Sequence, residues 1–222
     1  MIAEIAASAG EPERVEVHHP RRNGMQMHLK RGVQRLATLC ISVRLLTYRT
    51  GKFFLGRRAF LAASESIARI PGMRGVYMRQ AFYRRTLARC GRDVYFGWQS
   101  VFSMTETTVG EGAYIGRFCS LGFVDIGDDV MLADGVQILS GGHEHATKPA
   151  AGHTMREQSQ TYERVRIGRG AWIGARAVIM ADVGENAVIG AGAVVNRPVP
   201  AGCVAVGVPA RVIKNHRDRF SE

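Results

Sequence analysis

Two histidines, His143 and His145, stand two residues apart in ILSGGHEHATKP, where a six-residue beat carried on both sides of them stops. Histidine titrates near neutral pH. Placed at a break in a rigid scaffold, it is suited to take a proton from a hydroxyl and pass it on. A hydroxyl is a poor nucleophile without such help. Other chemistry-bearing residues are sparse. Cys40, Cys90, Cys119 and Cys203 are scattered, with no CxxC pair and no disulfide framework, which fits a reducing compartment. His18, His19 and His28 have no carboxylate or cysteine pattern beside them and read as surface, so no metal site is expected. His153 has no spacing argument behind it.

The elements that must position the two histidines follow from the beat. Val109, Ile115, Leu121, Ile126, Leu132 and Ile138 precede the break, and Ile167, Ile173, Ile179, Val183, Ile189 and Val195 follow it. Glycine commonly comes next, and four places after the anchor sits a small or β-branched residue such as Ala113, Cys119, Ala171, Ala177, Ala187 or Ala193. A period of six does not fit a helix; it fits short strands joined by tight corners. The anchor fills a prism, the glycine gives room where backbones approach, and three sides close a coil of about 18 residues. Cys119 occupies a small interior slot and reads as core filler rather than as a nucleophile. Both ends of such a stack need covering. The helical N-terminal part suits one end, and RVIKNHRDRF the other.

The loop of residues 139–164 leaves a coil corner, so its first residues are held while its tip can reach a neighbour. Residues 1–28 read as a flexible polar arm, 29–92 as a basic helical region, 93–215 as the coils and 216–222 as a tail. Pro71-Gly72 punctuates the helical part. The helix after it is expected to stop at Gly91, with Tyr77, Ala81 and Leu87 on its apolar side and Arg74, Arg79, Arg84, Arg85 and Arg89 around it. No run reaches the roughly 20 apolar residues a spanning helix needs.

VGEGAYIGRFCSLG, IGDDVMLADGVQIL, IGRGAWIGARAVIM and VGENAVIGAGAVVNRPVPAGCVAVGVPARVIK resemble the hexapeptide-repeat acyltransferases. IPGMRGVYMRQAFYRRTLARCG and REQS bring the resemblance closer to the sugar O-acetyltransferases of bacterial surface-polysaccharide pathways. The resemblance implies a mainly β fold, a left-handed parallel β-helix of hexapeptide repeats with a basic α-helical N-terminal region. It also implies acetyl-CoA as donor, a homotrimer with intersubunit active sites, and a sugar, glycan or lipid-linked glycan as acceptor. The family places its base in a GH pair just after the coils break, which makes His143 the expected base and His145 the second choice. For the donor, the resemblance points to Ala175 after WIG, Ala191 within GAG, and Trp172 beside the groove or sealing a corner. Asn196 and Arg197 stand where relatives often carry TKD, and Arg211 and Lys214 where basic residues meet the nucleotide phosphates. Relatives have two more residues between the positions of Ile179 and Val183, so one corner here is tighter or one side shorter.

The charge is divided unevenly. Residues 1–92 hold 18 Lys+Arg against 5 Asp+Glu, a net +13, and residues 93–222 hold 12 against 14, a net −2, giving the total of +11. An anionic partner for residues 29–92 follows, membrane lipid before nucleic acid, with the protein in the cytoplasm or peripheral on the inner face of its membrane. Either the basic helices lie in a membrane interface or they pack on the coils and expose their arginines. No zinc-finger spacing or GXXG loop supports nucleic acid. A zinc carbonic anhydrase on similar coils needs three ligands, yet no histidine lies between His28 and His143. The remaining rivals are transfer to a small soluble acceptor and a noncatalytic membrane-associated scaffold.

Overall fold

The computed structural model describes residues 32, 37, 39–142 and 161–215. Among the described residues, helices α1 (Ser42–Leu55), α2 (Arg57–Ala68) and α3 (Gly72–Thr86) come first, with Gly32, Ala37, Leu39 and Cys40 also helical ahead of them. Gly56, with φ of 54°, sits in the left-handed region that favours glycine and separates α1 from α2. Gly51, by contrast, is absorbed into α1. Extended Pro71 starts α3. The helix ends at Thr86 rather than Gly91. Leu87 turns extended, and Arg89–Cys90 already forms a strand paired with Thr108–Val109. Pairing with the next coil outweighs the helical propensity of Leu-Ala-Arg.

The remainder is a solenoid of short parallel strands on three faces. Sheet A contains β1 (Arg89–Cys90), β4 (Thr108–Val109), β7 (Val124–Ile126) and β10 (Val165–Ile167). Sheet B contains β2 (Tyr95–Phe96), β5 (Tyr114–Ile115), β8 (Met131–Leu132), β11 (Trp172–Ile173), β13 (Val188–Ile189), β15 (Cys203–Val206) and β16 (Arg211–Asn215). Sheet C contains β3 (Val101–Phe102), β6 (Ser120–Leu121), β9 (Gln137–Ile138), β12 (Val178–Ile179) and β14 (Val194–Val195). Every anchor of the six-residue beat is buried, as are Ala113, Cys119, Ala171, Ala177, Ala187 and Ala193 between them. The glycine after the anchor lies against the neighbouring coil. A Cβ on Gly174 would sit 2.5 Å from the backbone nitrogen of Ala191.

Coil length varies around the expected 18. Register partners are 19 apart at Tyr95–Tyr114, 17 at Tyr114–Met131 and 16 at Trp172–Val188. The shortening between Ile179 and Val183 is a shortened side. Sheet A ends there in single bridges, Ile167 to Val183 and Val183 to Val199, instead of paired strands.

The helices close one end by supplying the hydrogen bonds of a missing coil. Within the stack, backbone N–H groups of one coil donate to the next: Tyr95 to Ala113, Gly97 to Ile115 and Val101 to Cys119. In the first coil the equivalent carbonyls, Val94, Phe96 and Ser100, have no preceding coil. Side chains of α3 take its place. Gln80 Nε2 donates to Val94 O at 2.6 Å, Arg79 Nε to Phe96 O at 3.0 Å and the Tyr83 hydroxyl to Ser100 O at 3.3 Å. At the first corner Gln99 N–H donates to Ala68 O of α2, as Phe118 N–H does to Trp98 O one coil later. Buried backbone groups need such partners. Arg79 therefore departs from the charged rim expected of it. It is 1% exposed, whereas Arg74, Arg84, Arg85 and Arg89 are exposed. Burial pulls its pKa below the usual arginine value. Beneath this layer Tyr48, Phe60, Phe82, Tyr83, Phe96 and Phe102 join helices to coils through ring contacts of 4.8–6.3 Å. At the far end β16 runs antiparallel to β15 and covers the edge of sheet B. Residues 216–220 of the expected cover lie outside the described residues.

Candidate active site

The interruption leaves the corner between sheets C and A. Leu139 still keeps coil register, its N–H donating to Ile179 O at 2.9 Å. Ser140 is buried. Its Oγ accepts the N–H of Phe123 at 3.0 Å and its carbonyl accepts the N–H of Glu163 at 2.8 Å. That second bond joins the outgoing and returning limbs. Gly141 has φ of 92°, and a Cβ there would fall 2.7 Å from Glu163 Cβ, so the limbs approach too closely for a side chain. Arg164 then locks the return. Its Nη1 lies 2.6 Å from Asp125 Oδ1, and its guanidinium lies 4.2 Å over the Phe123 ring. Further out, Arg57 at the start of α2 lies 4.7 Å over the Tyr162 ring and donates to its hydroxyl at 3.3 Å. The scaffold holds the chain as far as Gly141, two residues before His143. His143, His145 and His153 themselves lie outside the described residues, as do His18, His19 and His28.

The other expected site residues form two groups. Ala175 and Ala191 stack on the corner between sheets B and C, both exposed, with Gly192 N–H donating to Ala175 O at 2.8 Å. Trp172 stands beside them on the outer face of sheet B, 49% exposed, in register with Met131 and Val188. Arg211 and Lys214 are exposed on β16 of the same sheet, opposite Val206 and Val204. Asn196 and Arg197 belong elsewhere, on the corner between sheets C and A from which the loop departs. The width of sheet C thus separates them, with the loop, from Ala175, Ala191 and Trp172. The shortening after Ile179 falls on sheet A, past the loop's corner, and leaves the Ala175–Ala191 stack intact.

Electrostatics refine the candidate list. Cys119 is buried among backbone carbonyls, its Sγ 3.3 Å from Ala133 O, and burial pushes its thiol up to about 11. Such a thiol is protonated at neutral pH and a poor nucleophile. Arg117 faces solvent and is engaged with Asp134, at 2.6 and 2.9 Å to Oδ2, while its backbone N–H donates to Oδ1. The guanidinium holds the Asp134 carboxyl below the usual carboxylate range. Among the described residues no group of three His, Cys, Asp or Glu could hold a metal ion. A recess of about 700 Å³ crosses sheet A, lined by Arg89, Asp125, Arg166, Arg169, Asp182 and Glu185 among others. None of the expected site residues borders it. The Ser140–Glu163 clasp, the Arg164–Asp125 lock and the Arg57–Tyr162 contact had no sequence signal, because each joins residues the repeat does not relate.

Residues 164–197 match the family model for the bacterial transferase hexapeptide, six repeats. The chain is 32% identical over 156 residues to galactoside O-acetyltransferase of Escherichia coli (strain K12), covering 65% of this chain and 71% of that enzyme. The chain belongs to the hexapeptide-repeat acetyltransferase family. Within that family it is related to the sugar O-acetyltransferases. A maltose O-acetyltransferase from Clostridium difficile 630 superposes with a TM-score of 0.64 at 27% identity, covering 74% of this chain and 88% of that one. Galactoside acetyltransferase in complex with coenzyme A superposes at 0.58 and 26% identity, covering 74% and 84%. An acetyltransferase solenoid with one interrupting loop gives the clasp at Ser140 and Glu163 a chemical setting.

Proposed function

We propose that this acetyltransferase moves an acetyl group from acetyl-CoA to a hydroxyl of a sugar or glycan precursor, with His143 as general base. The observation that carries the proposal is the clasped base of the loop, Ser140 and Gly141 against Glu163, just before His143 in a fold related to sugar O-acetyltransferases. The acceptor oxygen attacks the thioester carbonyl carbon while His143 takes its proton. Collapse breaks the C–S bond, and the same proton passes to the departing thiolate. A backbone N–H beside the thioester oxygen stabilises the developing negative charge. No acyl-enzyme is needed, and the buried thiol of Cys119 is not suited to form one.

The donor lies between protomers of a homotrimer. The division of the expected donor residues supports this. Trp172, Ala175 and Ala191 stand on one edge of sheet C and the described limbs of the loop leave from its other edge, and the first edge of one protomer can face the second edge of its neighbour. Arg211 and Lys214 then serve the nucleotide phosphates, with Asn196 and Arg197 on the loop side. The acceptor is a membrane-held glycan, and residues 29–92 make the peripheral contact with anionic lipid. Among the described residues no helix is long and apolar enough to cross a membrane.

The test is free-CoA release from acetyl-CoA with galactosides, maltose and lipid-linked glycans as acceptors. His143→Ala is expected to lower turnover about 100- to 10,000-fold, the usual worth of a positioned base, with His145→Ala far milder. Near-normal turnover by an assembled His143→Ala protein would overturn the assignment.

A further inference from the structure

α1 is apolar on two opposite faces, and among the described residues only one of them is packed. Its inner face places Tyr48 against Phe60 and Phe82, and buried Ile41 caps its start. Leu39, Val43, Leu46, Thr50 and Phe53 follow one another at spacings of four, three, four and three, the spacing of a single helix face. All five are exposed. Phe53 and Phe54 are 85% and 79% exposed and meet edge to face, 5.1 Å between ring centroids. Arg49 flanks this stripe on α1, with Lys52 in its last turn and Arg57 and Arg58 at the start of α2. No acidic residue occurs between Glu16 and Glu65.

We infer that the outer face of α1 is a docking surface for an anionic lipid bilayer, with Phe53 and Phe54 as its apolar anchors. The inference names the face for the peripheral contact proposed above and rests on that part of the reading, but not on acetyl transfer. At 14 residues α1 is about 21 Å long, short of a roughly 30 Å hydrocarbon core, so it lies along the interface rather than crossing it. The rings enter the acyl boundary while Arg49 and Lys52 stay at headgroup level. Charge argues for lipid over a second copy of this chain, because two such faces would oppose basic rims with no acidic residue to pair. The apolar stripe argues against a nucleic-acid backbone, which rewards charge and hydrogen bonding. α2 and α3 offer no equivalent stripe, since their apolar faces are turned into the aromatic layer and the first coil.

Flotation of the full-length protein with vesicles tests this, using phosphatidylcholine mixed with phosphatidylglycerol and phosphatidylcholine alone. Binding is expected to the mixed vesicles and to be much weaker to the neutral ones. Phe53→Ala/Phe54→Ala should lower the partition coefficient about 100-fold, roughly tenfold per ring withdrawn from the apolar boundary. Arg49→Gln/Lys52→Gln should lower it about fivefold per charge. Unchanged flotation of the double-alanine protein would overturn the inference, as would equal binding to both vesicles or no binding at all. A self-association that the alanine pair abolishes, seen by sedimentation without vesicles, would assign the face to a second copy and overturn it too. Free-CoA release with a soluble acceptor and no vesicles reports separately on the reaction. Normal turnover by the poorly floating alanine pair supports the docking role. Failure of transfer in the unaltered protein counts against the acetyl-transfer reading alone.

Discussion

Replacing Arg79 by methionine keeps most of the side chain's length and removes every hydrogen it donates. In the folded protein Arg79 Nε reaches Phe96 O at 3.0 Å, and Nη1 reaches Ile70 O at 2.7 Å and Ala68 O at 3.4 Å. Ala68 O keeps the N–H of Gln99 as a second donor. Phe96 O loses the guanidinium at a buried site and Ile70 O at a half-buried one. A buried acceptor left unsatisfied costs about 1–3 kcal/mol and a half-buried one less, so the two carbonyls give about 2–5 kcal/mol. The variant no longer buries a charge that lacks a carboxylate partner, which offsets part of that loss. A net destabilisation of about 3 kcal/mol follows, or a fall in melting temperature of roughly 6–12 °C for a domain of this size. Melting is followed by circular dichroism at fixed protein concentration, so that assembly does not shift the comparison. Hydrogen exchange should place the loss in α3 and the first coil. Arg84→Met, an exposed position on the same helix, is the control and should melt with the unaltered protein. If Arg79→Met melts within about 2 °C of the unaltered protein, the account of the helical cap as a substitute coil is wrong.

Gly174→Val puts a branched side chain where a single Cβ already falls 2.5 Å from Ala191 N. It should unfold the later coils or block their stacking, read as loss of soluble assembled protein. On acidification, Asp134 supplies a contribution with a definite sign. Its carboxyl is depressed by Arg117, so that stability is present above the ordinary value near 3.8 and is lost as pH falls through the lower folded value. The melting temperature of the unaltered protein should therefore fall more steeply below about pH 4 than that of Asp134→Asn; parallel acid profiles would remove the pair from the account.

How far the fold was legible depends on what each feature needs. The anchors from Val109 to Val195 and the small residues between them declared themselves by period, because a prism interior selects side chains one position at a time. Helix punctuation at Pro71-Gly72 was equally local. The end of α3 was not, since the pairing of Arg89–Cys90 with Thr108–Val109 is a contact 19 residues away. The shortening after Ile179 showed in the text, but only the bridges at Val183 and Val199 show that a side, not a corner, absorbs it.

The sequence by itself determined that this chain is a solenoid with a basic helical leader and one interruption, because periodicity and charge are properties of residues in order. It also placed His143 and His145 at the break, and the family resemblance favoured His143 between them. The tertiary structure decided what order cannot express. It turned Arg79, one arginine among several on α3, inward to the orphan carbonyls of the first coil, and it left the outer residues of α1 exposed. It tied Ser140 to Glu163 across the interruption, and it set Ala175 and Ala191 on the opposite edge of sheet C from the loop. The physical reason is common to all four. Each depends on which unpaired backbone groups and apolar faces come together once separate elements pack, and no spacing along the chain encodes that meeting.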